Sequence, residues 1–214
     1  MLNLVLFDLD GTLTDSRQGI IASIQHALDS LGRPVPPEDS LLWCIGPPLK
    51  GSFQRLLGND AEAERAVALY RERFGAVGLY ENQVYEGIPE LLANLHSRGM
   101  RLAVATSKAE IYATRIVEHF GIERYFESVF GAELTGERSD KTDLIAWALE
   151  RTGTDRSEVV MIGDRSHDMV GARNNGVAGV GVLYGYGSRA ELLDGGARAV
   201  VDSPRELGRL LGSG

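Results

Sequence analysis

Short apolar segments alternate with helical segments over most of the chain, and this alternation limits the possible folds more than any other feature. The apolar segments predict strands at 2–7, 101–105, 128–130 and 158–162, with two more in VAGVGVL and RAVV. The segments between them predict helices at 88–97, 109–120, 141–151 and 167–175. Strands that are apolar throughout and alternate with helices form parallel sheets covered by helices on both faces. The predicted fold class is therefore α/β, with a doubly wound parallel sheet.

Residues 16–81 do not follow this alternation and are helical in pattern throughout. The first helix of this stretch places its apolar side chains on one face: Ile20, Ile24, Leu28 and Leu31. Gly32 follows as a helix stop signal. We therefore predict two domains, an α/β core formed by residues 1–15 and 82–214 and an inserted helical domain formed by residues 16–81.

The composition argues against several classes of partner. The chain has 214 residues and a formal net charge of −8, which disfavours nucleic acid and anionic membranes. Its single cysteine, Cys44, cannot form an intrachain disulfide, as is usual in a reducing compartment, and we interpret it as a packed residue. The sequence has no basic signal-peptide start and no apolar run of about 20 residues. We expect a cytoplasmic, monomeric protein that acts on a small molecule.

Polar side chains follow several of the predicted strands, at the point where each strand ends. Ligands of an open parallel sheet bind at the carboxyl ends of its strands, so these side chains are expected to converge. The residues concerned follow a strand or begin the next helix: Asp8, Asp10, Thr106, Ser107, Lys108, Lys141, Asp164 and Asp168. The sequence therefore predicts a site that contains carboxylates, a hydroxyl group and a lysine.

These side chains suit a metal ion together with a phosphate group. Carboxylates at one rim repel one another, since two unit charges about 4 Å apart cost about 4 kcal/mol at an effective dielectric constant of about 20. Mg²⁺ removes this penalty and commonly joins carboxylates to a substrate phosphate, with Asp8 and Asp164 as the expected side-chain ligands. A hydroxyl and an ammonium group, from Thr106 and Lys141, suit the oxygens of a phosphoryl group.

The spacing of Asp8 and Asp10 allows the two carboxylates to take different roles. On an extended strand, residues i and i+2 lie on the same face. Asp8 can then attack phosphorus to form an aspartyl-phosphate, while Asp10 protonates the leaving group and later deprotonates water. Gly11 permits a sharp turn of the backbone immediately after the pair.

Four motifs resemble those of the haloacid dehalogenase superfamily, in its phosphatase branch: DLDGTLTDS, ATSK, Lys141 and GDRSHD. They occur in the usual order and at the usual spacing over the whole chain. Within the superfamily, the chain resembles the phosphoglycolate phosphatase-like group, which inserts a small helical cap just after the first motif, where residues 16–81 lie. The resemblance implies a Rossmann-like core with an inserted helical-bundle cap domain. IGPPLKGSF and GYGS (185–188) resemble features of a phosphatase subgroup.

The resemblance also implies the catalytic and metal-binding roles of the matching residues. Asp8 would be the nucleophile, and Asp10 would be the general acid and base. The cofactor would be Mg²⁺, held by Asp8, the backbone carbonyl of Asp10 and Asp164.

The same resemblance implies which residues bind the transferring phosphate. Thr106, the Ser107 amide and Lys141 would hold it, while Asp168 would lie in the outer metal shell or orient Lys141. The lysine motif is often Lys-Pro in this superfamily, whereas Thr142 follows the lysine here. Thr142 leaves the ammonium group in place, so we expect activity to be retained.

The function predicted from the sequence is hydrolysis of a small phosphorylated metabolite by a Mg²⁺-dependent, phosphoglycolate phosphatase-like enzyme. The alternatives are 5'-nucleotidase or pyrophosphatase activity, or a sugar-phosphate mutase of the same superfamily. Asp10 argues against a haloacid dehalogenase, which needs no acid two residues after the nucleophile. The length and the helical insertion argue against a phospho-receiver.

Substrate selectivity must come from the inserted helical domain, because the core motifs bind only phosphate. Lys50 and Arg17 are its candidate partners for an anionic part of the substrate. Asp15 lies where the first strand leads into this domain, and we interpret it as a hinge or capping residue. Domain opening and closing is expected about the crossings near 15–17 and 80–84.

Overall fold

The computed structural model describes residues 2–212 and contains a six-stranded sheet together with a separate two-stranded ribbon. The strands are β1 (Leu4–Phe7), β2 (Thr14–Asp15), β3 (Gln83–Val84), β4 (Arg101–Ala109), β5 (Ser128–Ala132), β6 (Val159–Gly163), β7 (Ala178–Val182) and β8 (Ala199–Val201). The larger sheet has the order β5-β4-β1-β6-β7-β8, and every pairing in it is parallel. The prediction of a parallel α/β sheet is confirmed.

The central position of β1 determines where polar residues converge. Phe7, the last residue of β1, is level with Val104 of β4 on one side and with Ile162 of β6 on the other. Val104 and Ile162 therefore lie at the height where β1 ends. The residues that follow them in sequence meet at one rim, with Asp8 in the middle.

Helices cover both faces of the sheet, as the apolar strands require. They are α1 (Arg17–Ser30), α2 (Leu49–Leu57), α3 (Asp60–Arg73), α4 (Ile88–Ser97), α5 (Glu110–His119), α6 (Lys141–Thr152), α7 (Ser166–Asn174), α8 (Arg189–Gly195) and α9 (Pro204–Gly212). Val5 and Phe7 pack in one core with buried residues of α4, α5 and α9, while Leu4 and Leu6 pack in a second core with α6 and α7. This division follows from the alternation of side chains along a strand. No helix in the described residues is long and apolar enough to cross a membrane.

The inserted helical segment (residues 16–81) contains α1, α2 and α3, and α3 packs against both of the other helices. A 3₁₀ segment, Glu38–Cys44, joins α1 to α2, and a π-helical turn, Phe74–Gly78, follows α3. The predicted absence of a strand between residue 16 and about residue 80 agrees with these elements. The exact division of the chain into domains at these boundaries stays a prediction.

The chain enters and leaves this segment through a short antiparallel ribbon. Thr14 pairs with Val84 and Asp15 with Gln83, so β2 and β3 lie side by side. The sequence did not predict these strands, because two residues are too few to produce a recognisable alternation.

Strand β4 is longer than the sequence predicts. It runs to Ala109 rather than to residue 105, and its pairing with β5 shifts register between Thr106 and Ala109. The apolar pattern stops at Ala105, where polar residues begin, so hydrophobicity alone underestimates the strand. The irregular last residues of β4 lie at the rim.

Candidate active site

Asp8 and Asp10 follow β1 directly and are nearly buried, with exposed fractions of 3% and 7%. The backbone N–H of Asp8 donates to the Ile162 carbonyl of β6 at 2.9 Å, which continues the sheet pairing by one residue. Gly11 then turns the chain with φ +82°, and a Cβ there would lie 2.2 Å from Asp164 Oδ2. Glycine is required at this position both for the turn and for the close approach of Asp164.

Lys141 joins residues from several elements at the centre of the site. Its ammonium group lies 2.8 Å from Asp8 Oδ1 and 2.7 Å from Asp168 Oδ1, and it donates to the Ala105 carbonyl at 2.7 Å. These contacts match the three protons of the group. Lys141 begins α6, whose N-terminus is capped by the side chain of Asp140.

Electrostatics favour the charged form of Lys141 despite its burial. Burial alone lowers the pKa of an ammonium group. The carboxylates of Asp168 and Asp8 more than offset this effect and raise the pKa of Lys141 above its ordinary value. The lysine is therefore a fixed positive charge against the side chain of Asp8.

Asp8, Asp164 and Asp168 form a buried cluster in which one oxygen of each carboxylate lies within 4.8 Å of the others. Burial, together with the neighbouring charges of Asp168 and Asp8, raises the pKa of Asp164 well above its ordinary value. Two of the three carboxylates contact Lys141, but Asp164 has no ion-pair partner among the described residues. A divalent cation against Asp8 and Asp164 would remove this excess negative charge, so the donor set fits a metal ion.

A cavity of about 340 Å³ opens beside this cluster, between the rim and the inserted segment. Asp8, Asp10, Thr106 and Ser107 all line it. Thr106 is buried, and its hydroxyl accepts from the backbone N–H of Lys108 at 3.3 Å. The structure therefore brings the predicted nucleophile, the predicted acid and the predicted phosphate-binding hydroxyl to the same space.

The two candidate substrate-binding cations of the inserted segment form exposed ion pairs. Lys50 lines the cavity, but its ammonium group lies 2.8 Å from Glu64 in an exposed pair. Arg17 pairs with Glu38 and Asp39 and is not among the residues that line the cavity. Of the two candidate substrate partners in this segment, only Lys50 reaches the cavity.

Cys44 is a buried residue that lines the same cavity. Burial raises the pKa of its thiol to about 11. The thiolate form is therefore scarce at neutral pH, which agrees with its interpretation as a packed residue.

Lys108 is a site residue whose contact the sequence analysis missed. Its ammonium group lies 2.9 Å from Asp10 Oδ2, and it also lies 4.4 Å from the centre of the Phe74 ring. The position of Lys108 after Thr106 and Ser107 was a signal that it reaches the rim. The direction of its side chain depends on the irregular end of β4 and on Phe74, which sequence spacing does not reveal.

The GYGS segment closes the side of the site on which Asp164 lies. The backbone N–H of Tyr186 donates to Asp164 Oδ2 at 2.8 Å, and a Cβ at Gly187 would lie 1.9 Å from the Asp164 carbonyl. The Tyr186 hydroxyl donates to Asp15 Oδ1 at 2.7 Å. Asp15 Oδ1 also accepts from the N–H of Arg17 at the start of α1, so Asp15 joins the ribbon, the inserted segment and this loop.

Arg165 lies beside Asp164 in sequence but pairs with another carboxylate. Its Nε lies 2.8 Å from Glu191 Oε1 in α8, and its Nη1 donates to the Ile45 carbonyl of the inserted segment. The backbone N–H of Arg165 donates to Asp168 Oδ2 at 3.1 Å. Arg165 is therefore a direct contact between the rim and the inserted segment.

Known proteins share this architecture and these sequence features. The family model for haloacid dehalogenase-like hydrolases matches residues 5–182. The crystal structure of a predicted phosphatase from Clostridium acetobutylicum superposes with a TM-score of 0.96 at 42% identity, over 99% of this chain and 98% of that one.

Curated relatives carry several functional names. A 5'-nucleotidase of Pseudomonas aeruginosa is 51% identical over 88% of this chain and 86% of its own length. The tyrosine-protein kinase PtkA of Mycobacterium tuberculosis is 47% identical over 92% of this chain and 67% of its own length. A phosphoglycolate phosphatase of Pseudomonas fluorescens is 31% identical over 95% of this chain and 78% of its own length. Together with the site described above, these similarities establish that the chain belongs to the haloacid dehalogenase-like hydrolases and is a phosphatase.

Proposed function

We propose that this phosphatase uses Mg²⁺ and hydrolyses a phosphomonoester of a small metabolite through an aspartyl-phosphate on Asp8. The observation that best supports the mechanism is the placement of Asp8, Asp10 and Thr106 on one cavity wall, with Lys141 fixed behind Asp8. Such a site supplies a nucleophile, a proton donor and positive charge for the phosphoryl oxygens.

In the first step, a carboxylate oxygen of Asp8 attacks phosphorus as the bond from phosphorus to the leaving oxygen breaks. Asp10, protonated at this stage, gives its proton to that leaving oxygen. The Thr106 hydroxyl holds an equatorial oxygen of the phosphoryl group, and Lys141 would hold another by exchanging one of its three contacts for it. The products are an aspartyl-phosphate at Asp8 and a free alcohol.

In the second step, a water molecule attacks phosphorus of the aspartyl-phosphate. Asp10, now a carboxylate, takes a proton from this water as the bond between phosphorus and the Asp8 oxygen breaks. Inorganic phosphate leaves, and Asp8 and Asp10 return to their starting forms. Mg²⁺, held by Asp8, Asp164 and the Asp10 backbone carbonyl, would neutralise charge on the phosphoryl group.

We further propose that the leaving group is uncharged and large enough to cover the apolar lining of the cavity, as is the nucleoside of a nucleoside 5'-monophosphate. Each cationic side chain that lines the cavity already contacts an acceptor: Lys50 contacts Glu64, Arg71 contacts the Leu134 carbonyl, and Lys108 contacts Asp10. A carboxylate or a second phosphate in the leaving group would have to displace one of these contacts. Phosphoglycolate and pyrophosphate fit this wall less well for that reason.

The size and lining of the cavity support the same class of substrate. Its volume of about 340 Å³ lies at the lower end of the range of about 300–1,000 Å³ that is typical of small-molecule pockets. Apolar side chains line much of it, among them Ile20, Leu49, Val67, Phe74 and Tyr112. Glycolate alone would leave most of this apolar surface uncovered, whereas a nucleoside would cover it.

Replacement of the nucleophile tests the mechanism. Asp8→Asn is expected to lower kcat by more than about 10⁴-fold, because an amide does not attack phosphorus. Acid quenching and mass spectrometry of the wild type during turnover are expected to find phosphate on Asp8. Asp194→Asn, at an exposed position of α8, is the matched control and is expected to retain full activity. Near-normal turnover of Asp8→Asn would contradict the covalent mechanism.

A substrate panel tests the leaving-group proposal. Phosphate release is measured with Mg²⁺ for nucleoside 5'-monophosphates, phosphoglycolate and pyrophosphate. The value of kcat/KM is expected to be about tenfold or more higher for the best nucleotide than for the other two. A preference for phosphoglycolate or pyrophosphate would show that an anionic leaving group is accepted, and this part of the proposal would be wrong.

A further inference from the structure

Lys108 lies at the meeting point of the rim and the inserted segment. It belongs to the irregular end of β4, and its side chain is only 7% exposed. Its ammonium group lies 2.9 Å from Asp10 Oδ2. A nearly buried ion pair of this kind restricts both side chains far more than an exposed pair does.

The contact with Lys108 makes the two oxygens of Asp10 different from each other. Oδ2 is held by the ammonium group, whereas Oδ1 is buried and has no hydrogen-bond partner within residues 2–212. Asp10 also lines the cavity. The oxygen left free is therefore the one that can exchange a proton with a bound substrate.

Phe74 of the inserted segment holds Lys108 from the other side. The centre of its ring lies 4.4 Å from the ammonium group, within the range of a cation–π contact. The ring itself is fixed by Tyr70, stacked on it at 5.2 Å, and by the edge of Tyr112 at 5.5 Å. An ammonium group covered in this way has little access to water and few alternatives to Asp10.

We propose that Lys108 is a positioning residue that directs Asp10 towards the leaving oxygen, and that Phe74 keeps it in place when the inserted segment covers the site. Proton donation to the leaving group then depends on a contact from the inserted segment. The inference rests on the proposed role of Asp10 as the general acid. It assigns no chemical step to Lys108 itself, which neither attacks phosphorus nor gives up a proton.

The test compares leaving groups that differ in their need for a proton. p-Nitrophenyl phosphate releases a stable phenolate and needs little help from an acid, whereas an alkyl ester such as a nucleoside 5'-monophosphate needs the proton. The value of kcat/KM is the informative quantity, because it covers events only up to departure of the leaving group. A fall in kcat alone would also include the second step, which is common to both substrates.

For Lys108→Met, kcat/KM is expected to fall about 100-fold for the alkyl ester and less than about threefold for the aryl ester. For Phe74→Leu, kcat/KM is also expected to fall more for the alkyl ester than for the aryl ester, but by only about fivefold for the alkyl ester. Lys108→Arg, which keeps the charge, is expected to recover part of the loss. Arg189→Met removes an exposed ion-paired cation away from the cavity and is expected to change neither value.

Equal losses for the two esters in Lys108→Met would overturn the inference, since a general structural defect does not select by leaving group. An unchanged single-turnover rate of phosphoryl transfer to Asp8 at saturating alkyl ester, with only the affinity for that ester weakened, would assign Lys108 to substrate binding and would also overturn it. If Lys108→Met does not fold, Lys108→Gln and Phe74→Leu provide the same comparison.

Asp10→Asn separates failure of this inference from failure of the proposed mechanism. If Asp10→Asn does not slow the alkyl ester more than the aryl ester, Asp10 is not the acid and the mechanism itself is wrong. If Asp10→Asn shows that selectivity and Lys108→Met does not, only the role of Lys108 is wrong.

Discussion

The rim at the strand ends and the wall formed by the inserted segment hold their lysines in different ways. At the rim, Lys141 is 4% exposed and contacts two buried carboxylates and a carbonyl. In the wall, the side chain of Lys50 is 52% exposed and contacts one exposed glutamate. The rim thus holds a buried lysine with several charged and polar contacts, whereas the wall holds an exposed lysine whose single ion pair can change partner at little cost.

The largest expected difference between the two regions comes from removing each lysine in turn. Lys141→Met leaves two carboxylates buried without their counter-charge, and the free energy of unfolding is expected to fall by about 3–5 kcal/mol in metal-free protein. Phosphatase activity is expected to be lost as well. Lys50→Met removes a solvated pair and is expected to leave the urea midpoint unchanged.

Urea unfolding of both variants in the presence of a chelator measures this contrast. Equal shifts in the urea midpoint would mean that the buried and the exposed lysine contribute equally to stability, which would contradict this expectation. Addition of Mg²⁺ is expected to recover part of the stability of Lys141→Met, since a cation can replace some of the missing charge.

Asp164 lies at the same rim as Lys141, but we expect the two side chains to affect the stability of the metal-free protein in opposite directions. Its pKa is held well above the ordinary value of 3.8, so folding favours the protonated form. The contribution of Asp164 to stability is therefore complete below about pH 4 and is lost as the pH rises through the folded-state pKa. Asp164→Asn is expected to stabilise metal-free protein by about 1–3 kcal/mol at neutral pH while abolishing most activity.

Thermal or urea unfolding of wild type and Asp164→Asn between about pH 4 and pH 8, with a chelator, tests this expectation. The advantage of the variant is expected to grow with pH. Mg²⁺ is expected to stabilise the wild type and to have little effect on the variant. A variant that is less stable than wild type at neutral pH without metal would contradict the assignment of Asp164 as an unpaired buried carboxylate.

The smallest expected effect lies where the two regions are joined, at Tyr186. Tyr186→Phe keeps the ring and the backbone contact with Asp164 but removes the hydroxyl that donates to Asp15. The free energy of unfolding is expected to fall by about 1 kcal/mol, and kcat is expected to change by less than about threefold. Tyr80→Phe is the control, because the Tyr80 hydroxyl accepts a hydrogen bond from Arg115 near the surface. A loss of activity as large as that of Lys141→Met would make Tyr186 part of the catalytic machinery.

The sequence was most informative where a residue's position follows from local pattern. Asp8, Asp10, Thr106 and Asp164 were placed at the rim because each follows a predicted strand, and the structure brings them together. Lys141 was placed there because it begins the helix after a predicted strand, and its ammonium group lies 2.7 Å from Asp168. The mechanistic roles of these residues remain predictions that the variants above test.

The sequence was least informative about which side chains form pairs. The contacts of Lys108 with Phe74, of Lys50 with Glu64 and of Tyr186 with Asp15 join segments that are distant along the chain or belong to different elements. Such pairs depend on the direction of side chains after packing, which no spacing rule determines. The two-stranded ribbon was missed for a simpler reason, since its strands contain two residues each.

The closeness of the loop around Gly187 to Asp164 has a consequence for how the enzyme is made. Asp8 leaves the ribosome before the segment that carries the Tyr186 N–H, which is synthesised more than 170 residues later. Contacts over such separations form late, because the intervening chain must be ordered first. We expect a growing polypeptide to expose Asp8 without hydrolysing anything until the segment around Tyr186 has been synthesised and packed.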